Sequence, residues 1–239
     1  SRYRIKLVAM RTSERNRYQN AMTVSNIGLA SILSDPFGKS SKAIMEEVLK
    51  SSSLSEGKLR SLLNKSAKKK AKEVFASLEG SRIEPDPRLK MTVSSEHMNQ
   101  IDSHIDTLEL DLVQRCLPYA NLINLLIDIP GISYISAISV IAEIGIDMSV
   151  FKSSKQLACW AGLAPANNES ANKKKSVRIS RAGTYLKPLL IQCALSAIKS
   201  TSNPYYRIKY NIIKKRRGHK KAIVAIARMI LVNIYAILS

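Results

Sequence analysis

Acidic residues almost vanish from the last 89 residues of this sequence. After position 150 there are eighteen Lys and Arg but one acid, Glu169, a net +17 out of +20 for the whole chain. Aromatic residues make up only 5%, and glycine occurs 9 times in 239 residues. That composition, rich in Leu, Ile, Ala, Lys and Ser, argues against a β-sandwich and for an all-α fold. The three cysteines, Cys116, Cys159 and Cys193, are too far apart for a CxxC zinc site or a disulfide framework. They fit a reducing, cytoplasmic compartment.

Other absences narrow the chemistry. Two-metal nucleases need several convergent carboxylates to hold Mg²⁺, and the basic half offers only Glu169. No metal site is therefore expected in this chain. GxSxG, Walker A and HExxH motifs are missing as well. No apolar h-region follows Ser1, and no initiating methionine is present. The most apolar stretch, Ala222 to Leu238, contains Arg228 and Asn233. It reads as a core helix rather than a membrane span.

What is present divides the chain in two. The 45% hydrophobic content can build a core. The first 150 residues are nearly balanced in charge, whereas the rest demands a polyanionic partner. We expect a helical region over 1–120 and a basic domain over 121–239. In the first, helices are expected at about Arg4–Leu33, Ser41–Leu49, Glu56–Leu63 and Lys65–Leu78. Gly80 to Pro87, with two prolines, reads as a loop. Met98, Ile101, Ile105, Leu108 and Leu112 then step by alternating threes and fours, an a/d seam. Such a seam serves either a helix packed in an antiparallel bundle or a coiled-coil arm for self-association. In the second region, helices are expected at about Ser133–Ile144, Phe151–Leu163, Gly183–Ser200, Asn203–Lys215 and Lys220–Leu238.

Three features of the basic region could carry function. Ile129-Pro130-Gly131-Ile132, followed by Ala137 and Ala142, resembles half of a helix-hairpin-helix. There Gly131 would allow backbone N–H groups to hold a phosphate. An ordinary interhelical turn has the same sequence. Lys214-Lys215-Arg216-Arg217-Gly218-His219-Lys220-Lys221 is a concentrated cationic patch suited to a phosphate backbone. His219 reads as part of that polar turn rather than as a metal ligand. Ser170 sits in a cation-rich loop ahead of Lys173, Lys174, Lys175, Arg178 and Arg181. A serine needs activation to become a nucleophile, and neighbouring cations could stabilise a phosphoryl transition state.

The order of Ile129-Pro130-Gly131-Ile132, Phe151 to Trp160, Ala161-Gly162-Leu163-Ala164-Pro165, Ser170, Arg178-Ile179-Ser180-Arg181-Ala182-Gly183 and Leu186 resembles one family. It is that of the insertion-sequence transposases related to the pilin-gene DNA invertase, the bridge-RNA-guided recombinases. The resemblance is ordered over about Leu125 to Ala197. More weakly, Ile32 to Ser41 and the heptad helix are similar to the family's coiled-coil segment.

The resemblance implies a site-specific DNA recombinase. Ser170 takes the place of the family's serine nucleophile, in a Gly-Leu-x-Pro…Ser pattern. It also implies a structured guide RNA pairing with target and donor DNA, comparable to other guided systems. A RuvC-like N-terminal domain, with an Asp/Glu/Asp/Asp set for Mg²⁺, would precede Ser1, so the chain is expected to be a piece of a longer protein. Lys173, Lys174, Lys175, Arg178, Arg181, Lys187, Lys214, Lys215, Arg216, Arg217, Lys220, Lys221 and Gly131 are the expected nucleic-acid contacts. The heptad helix would make a homo-oligomer, a dimer or tetramer. The setting would be a prokaryotic, nucleoid-associated cytoplasmic one, with no membrane. Two positions depart from the family pattern: Ala171 and Val177 stand where glycines are usual. A non-catalytic nucleic-acid-binding and oligomerisation module, such as a helix-hairpin-helix protein, is the alternative.

Overall fold

The computed structural model describes residues 1–50, 54–165, 179 and 181–239, together with the backbone of 169–170 and 173–174. Among these residues the fold is all-α except for one two-residue hairpin. The chain divides into two compact units. One is Tyr3–Leu108; the other is Glu109–Ser239 together with Ser1–Arg2.

The N-terminal unit contains most of α1 (Arg2–Val24), then α2 (Leu29–Ile32), α3 (Lys39–Lys50), α4 (Glu56–Leu62), α5 (Ala71–Glu79) and α6 (Pro85–Cys116) as far as Leu108. α1 stops short of the expected Leu33 because Asn26 turns the chain at φ 57°. The N–H groups of Asn26 and Ile27 return to the carbonyls of Thr23 and Met22 at 3.0 and 2.9 Å. This is a Schellman ending, with Asn in the left-handed position. α6 begins before the expected start, since Pro85 and Pro87 lie in its first turn, where a missing N–H costs nothing. The basic segment that followed α4 in sequence is a 3₁₀ turn, Lys68–Lys70, running into α5.

The heptad seam from Met98 to Leu108 is covered inside this unit, and Leu112 packs against the core of the other. Ile101 and Ile105 are buried with Leu7, and Val8 and Leu108 pack against them. Met98 joins the core of Tyr18, Met22, Leu29, Ile44 and Met45. Arg11 Nη1 donates to Asp102 Oδ1 at 2.6 Å, and His97 Nδ1 lies 3.0 Å from Glu14 Oε1. These pairs set α1 antiparallel to α6. Glu14 is buried and also pairs with Arg17 one turn on, which compensates its charge. Ile101→Ala should therefore cost about 2–5 kcal/mol. Urea unfolding should show a lower midpoint that does not move with protein concentration; a concentration-dependent midpoint would instead place the seam between two chains.

The C-terminal unit comprises α7 (Ala120–Ile127), α8 (Tyr134–Ile144), α9 (Ser154–Trp160), α10 (Leu186–Ala197), α11 (Tyr205–Arg217) and α12 (His219–Leu238). α12 packs against α7, α9, α10 and α11. It buries Ala222, Ile223, Ile226, Ala227, Ile230, Leu231 and Ile234. Each large side chain so buried contributes about 1.5–3 kcal/mol. Among the described residues α12 alone is long and apolar enough to cross a membrane; its apolar stripe faces this core. Serine caps open two of the helices: Ser133 Oγ accepts from Ser136 N–H at 3.2 Å, and Ser153 Oγ from Gln156 N–H at 3.3 Å. The Ser153 cap explains why α9 starts later than Phe151.

The turn between α7 and α8 packs backbone against backbone. Gly131 has φ +90°, and a Cβ there would stand 2.2 Å from the Cys193 carbonyl oxygen and 2.7 Å from Ala197 N. Cys193, Ala194 and Ala197 form the small, buried face of α10 that permits this approach. Gly131→Ala should thus lower stability by about 2–4 kcal/mol, from strain plus overlap. The check is urea unfolding; a variant of unchanged stability but weakened nucleic-acid affinity would return Gly131 to a contact role.

Candidate nucleic-acid interface

The loop that carries Ser170 leaves the core through a narrow neck. α9 ends in a second Schellman turn: Gly162 N–H donates to Cys159 O at 3.0 Å, and Leu163 N–H to Ala158 O at 2.9 Å. Gly162 takes φ +66°, and Leu163 is buried. A Cβ on Gly162 would lie 2.4 Å from the Ala182 carbonyl oxygen and 2.9 Å from Lys187 Nζ. Across the neck, a Cβ on Gly183 would lie 2.2 Å from the Ala161 carbonyl oxygen. Two segments far apart in sequence, Ala161-Gly162 and Ala182-Gly183, therefore touch through bare backbone. Just beyond them Pro165 and Ile179 form an antiparallel bridge. Farther out, β1 (Glu169–Ser170) pairs antiparallel with β2 (Lys173–Lys174), Ser170 opposite Lys173 and Glu169 opposite Lys174.

The expected site residues fall into separate groups. Arg181 is exposed at the neck, and Lys187, in the first turn of α10, brings its ammonium to Gly162. The side chains of Ser170, Lys173 and Lys174, and the whole of Lys175 and Arg178, lie outside the described residues. Gly131 sits against α10, and the first turn of α8 beside it is capped by Ser133.

Lys214, Lys215, Arg216, Arg217, Lys220 and Lys221 form a second group, at the elbow where Gly218 alone separates α11 from α12. All six are exposed, and among the described residues none has a carboxylate partner. Buried tyrosines fix the elbow. Asn233 Nδ2 donates to Tyr206 Oη at 2.7 Å, and Tyr210 Oη lies 2.7 Å from His219 Nδ1. Burial pushes the Tyr206 phenol above its ordinary pKa, partly offset by the Asn233 hydrogen bond. Lys214 Nζ stands 5.6 Å from the centre of the Tyr210 ring. The cations closing α11 suit its helix dipole, but Lys220 and Lys221 open α12, whose first turn holds no acid. There the dipole disfavours cations and favours an anion. The arrangement suits phosphate oxygens in sequence-independent contact.

Sequence reasoning passed over three exposed groups. Arg207 lies two helical turns before Lys214 and Lys209 two turns before Arg216, so each continues the line of one elbow cation along α11. Trp160, the last residue of α9, is 44% exposed at the neck, and no periodicity marks it. Among the described residues no group of three or more His, Cys, Asp or Glu could hold a metal ion. Burial pushes the Cys193 thiol up, which leaves it unreactive.

Residues 123–211 match the Transposase IS116/IS110/IS902 family. The stretch encloses the α7–α8 turn, the neck, the Ser170 loop and α10. The chain is 34% identical over 114 residues to the transposase for insertion sequence element IS1111A of Coxiella burnetii, covering 46% of this chain and 31% of that protein. It is 29% identical over 163 residues to the insertion element IS900 uncharacterized 42 kDa protein of Mycobacterium paratuberculosis, covering 65% and 40%. It is 35% identical over 82 residues to a probable family 20 transposase of Pseudomonas aeruginosa, covering 34% and 24%. The chain thus matches less than half the length of each relative. No solved structure matches it. The C-terminal unit is similar in sequence to insertion-sequence transposases.

Proposed function

We propose that this chain is part of an insertion-sequence transposase, a site-specific DNA recombinase, and that its C-terminal unit presents a serine nucleophile to a DNA phosphate. The observation that carries the proposal is the neck. The family-matched stretch folds so that Ala161-Gly162 and Ala182-Gly183 close the base of the loop bearing Ser170. In this reading Ser170 Oγ attacks a DNA phosphodiester, forms a phosphoserine link and releases one hydroxyl end. Attack by the hydroxyl of another strand then restores the serine. Lys173, Lys174, Lys175, Arg178, Arg181 and Lys187 hold the phosphates around it, and the α11–α12 elbow binds flanking backbone.

The reading also includes a metal, a guide RNA and further copies of this chain. Mg²⁺ would be held by a RuvC-like domain, as the family resemblance implies. A structured guide RNA would read the DNA by base pairing. Assembly into a dimer or tetramer would use a face of α6 other than the one that Leu7 and Val8 cover. The protein would work beside the nucleoid in a prokaryotic cytoplasm.

Two measurements test this reading. First, the complete protein, with its element's RNA and labelled DNA, should give a protein–DNA adduct that survives denaturant. Ser170→Ala should abolish it. An adduct that persists in the variant would leave the chain as a binding and assembly module whose chemistry lies elsewhere. Second, replacing Lys214, Lys215, Arg216 and Arg217 with Gln should flatten the salt dependence of duplex binding. The slope of log affinity against log salt should fall by about 0.9 for each phosphate that is no longer neutralised. An unchanged slope would remove the elbow from the interface.

A further inference from the structure

We propose that Trp160 is a stacking platform for an unpaired nucleobase beside the neck of the Ser170 loop. This rests on the nucleic-acid reading above but not on the serine chemistry. Trp160 ends α9 and directly precedes Ala161, whose backbone touches Gly183. The indole therefore cannot move away from the neck without moving α9. Its orientation is set by Phe151, which meets it edge-on with ring centres 5.8 Å apart and planes at 61°. Phe151 is itself tied down, its carbonyl accepting from Tyr235 Oη at 3.1 Å. Even so, 44% of Trp160 faces solvent. A fixed aromatic ring with a free surface loses little conformational entropy when something stacks on it.

The surroundings select the occupant. Lys155, Gln156, Cys159 and Trp160 are the exposed residues of α9 and share one side of it. Arg181 is exposed across the neck, and Lys187 reaches Gly162. A partner must offer a flat apolar face together with negative charge. A second copy of this region, at +17, is repelled. A nucleotide supplies both: a base for the indole and a phosphate for the cations. In a duplex each base face is already stacked on its neighbours, so the site fits an unpaired base, and stacking of this kind tolerates any base.

Trp160 is the single tryptophan in the chain, so its emission reports on the site directly. The full chain would be titrated with a thymidine-rich single strand and with a blunt duplex, binding being followed independently by anisotropy of a label on the nucleic acid. Single-strand binding should quench the tryptophan in step with anisotropy. Trp160→Ala should weaken single-strand binding by roughly 5- to 150-fold and duplex binding by less than about twofold. Trp160→Tyr and Trp160→Phe, which keep a ring against Phe151, should retain most of the affinity. Saturation by anisotropy with unchanged emission, or a Trp160→Ala chain that binds single strands like the wild type, overturns the stacking and leaves the nucleic-acid reading standing. A wild-type chain that binds neither probe overturns both.

Discussion

The C-terminal unit depends on a contact in which side chains take no part. At the neck, the Ala161 and Ala182 carbonyls occupy the space where Cβ atoms of Gly183 and Gly162 would be. Backbones this close exclude any residue but glycine, and both glycines take positive φ. The contact joins the end of α9 to the approach to α10. Between those two points Pro165 pairs with Ile179, and Glu169–Ser170 with Lys173–Lys174. The same contact delivers Lys187 to the neck and holds Trp160 beside it.

Charge sets the second constraint. Packing eighteen cations against one acid in this half of the chain is a repulsion that the fold must overcome. It does so by burial elsewhere: α12 supplies a long stripe of Ile, Leu and Ala to α7, α9, α10 and α11. The cations meanwhile stay at helix ends and exposed faces, where salt screens them over about 8 Å. Stability thus comes from α12, and the proposed binding surfaces are ones that α12 supports.

The sequence made the helices largely legible, because their caps and breaks are local. Ser133 caps α8, which ends at Ile144 as expected, while Ser153 starts α9 just after the expected Phe151. Pro85 and Pro87 misled, since a proline in a first helical turn and a proline in a loop look alike without the hydrogen bonds. The seam at Met98, Ile101 and Ile105 was legible as a face needing a cover, but spacing cannot say what covers it. Here Leu7 and Val8 do, from a helix whose own apolar pattern is weak. The glycines of the neck stood out as motif residues, yet their physical reason is a contact between segments on opposite sides of a long loop. Trp160 was invisible because exposure of an aromatic residue is a property of its neighbours.

The α11–α12 elbow shows how function can be read from a local rule that the fold breaks. An acid or a serine at the start of α12 would satisfy its dipole and its free N–H groups. The chain instead begins that helix with His219, Lys220 and Lys221, directly after four cations that end α11. Tyr210 takes up His219, and Tyr206 is locked to Asn233, so the elbow is held rigid with its charges outward. Nothing within the described residues neutralises them. Such a device lowers the stability of the free protein, a cost that a bound anion would offset. The same logic, a group held in place but left unsatisfied, links the elbow to the half-exposed indole at the neck. On the proposed reading a single polynucleotide would meet both, with phosphates at the elbow and a base at the neck.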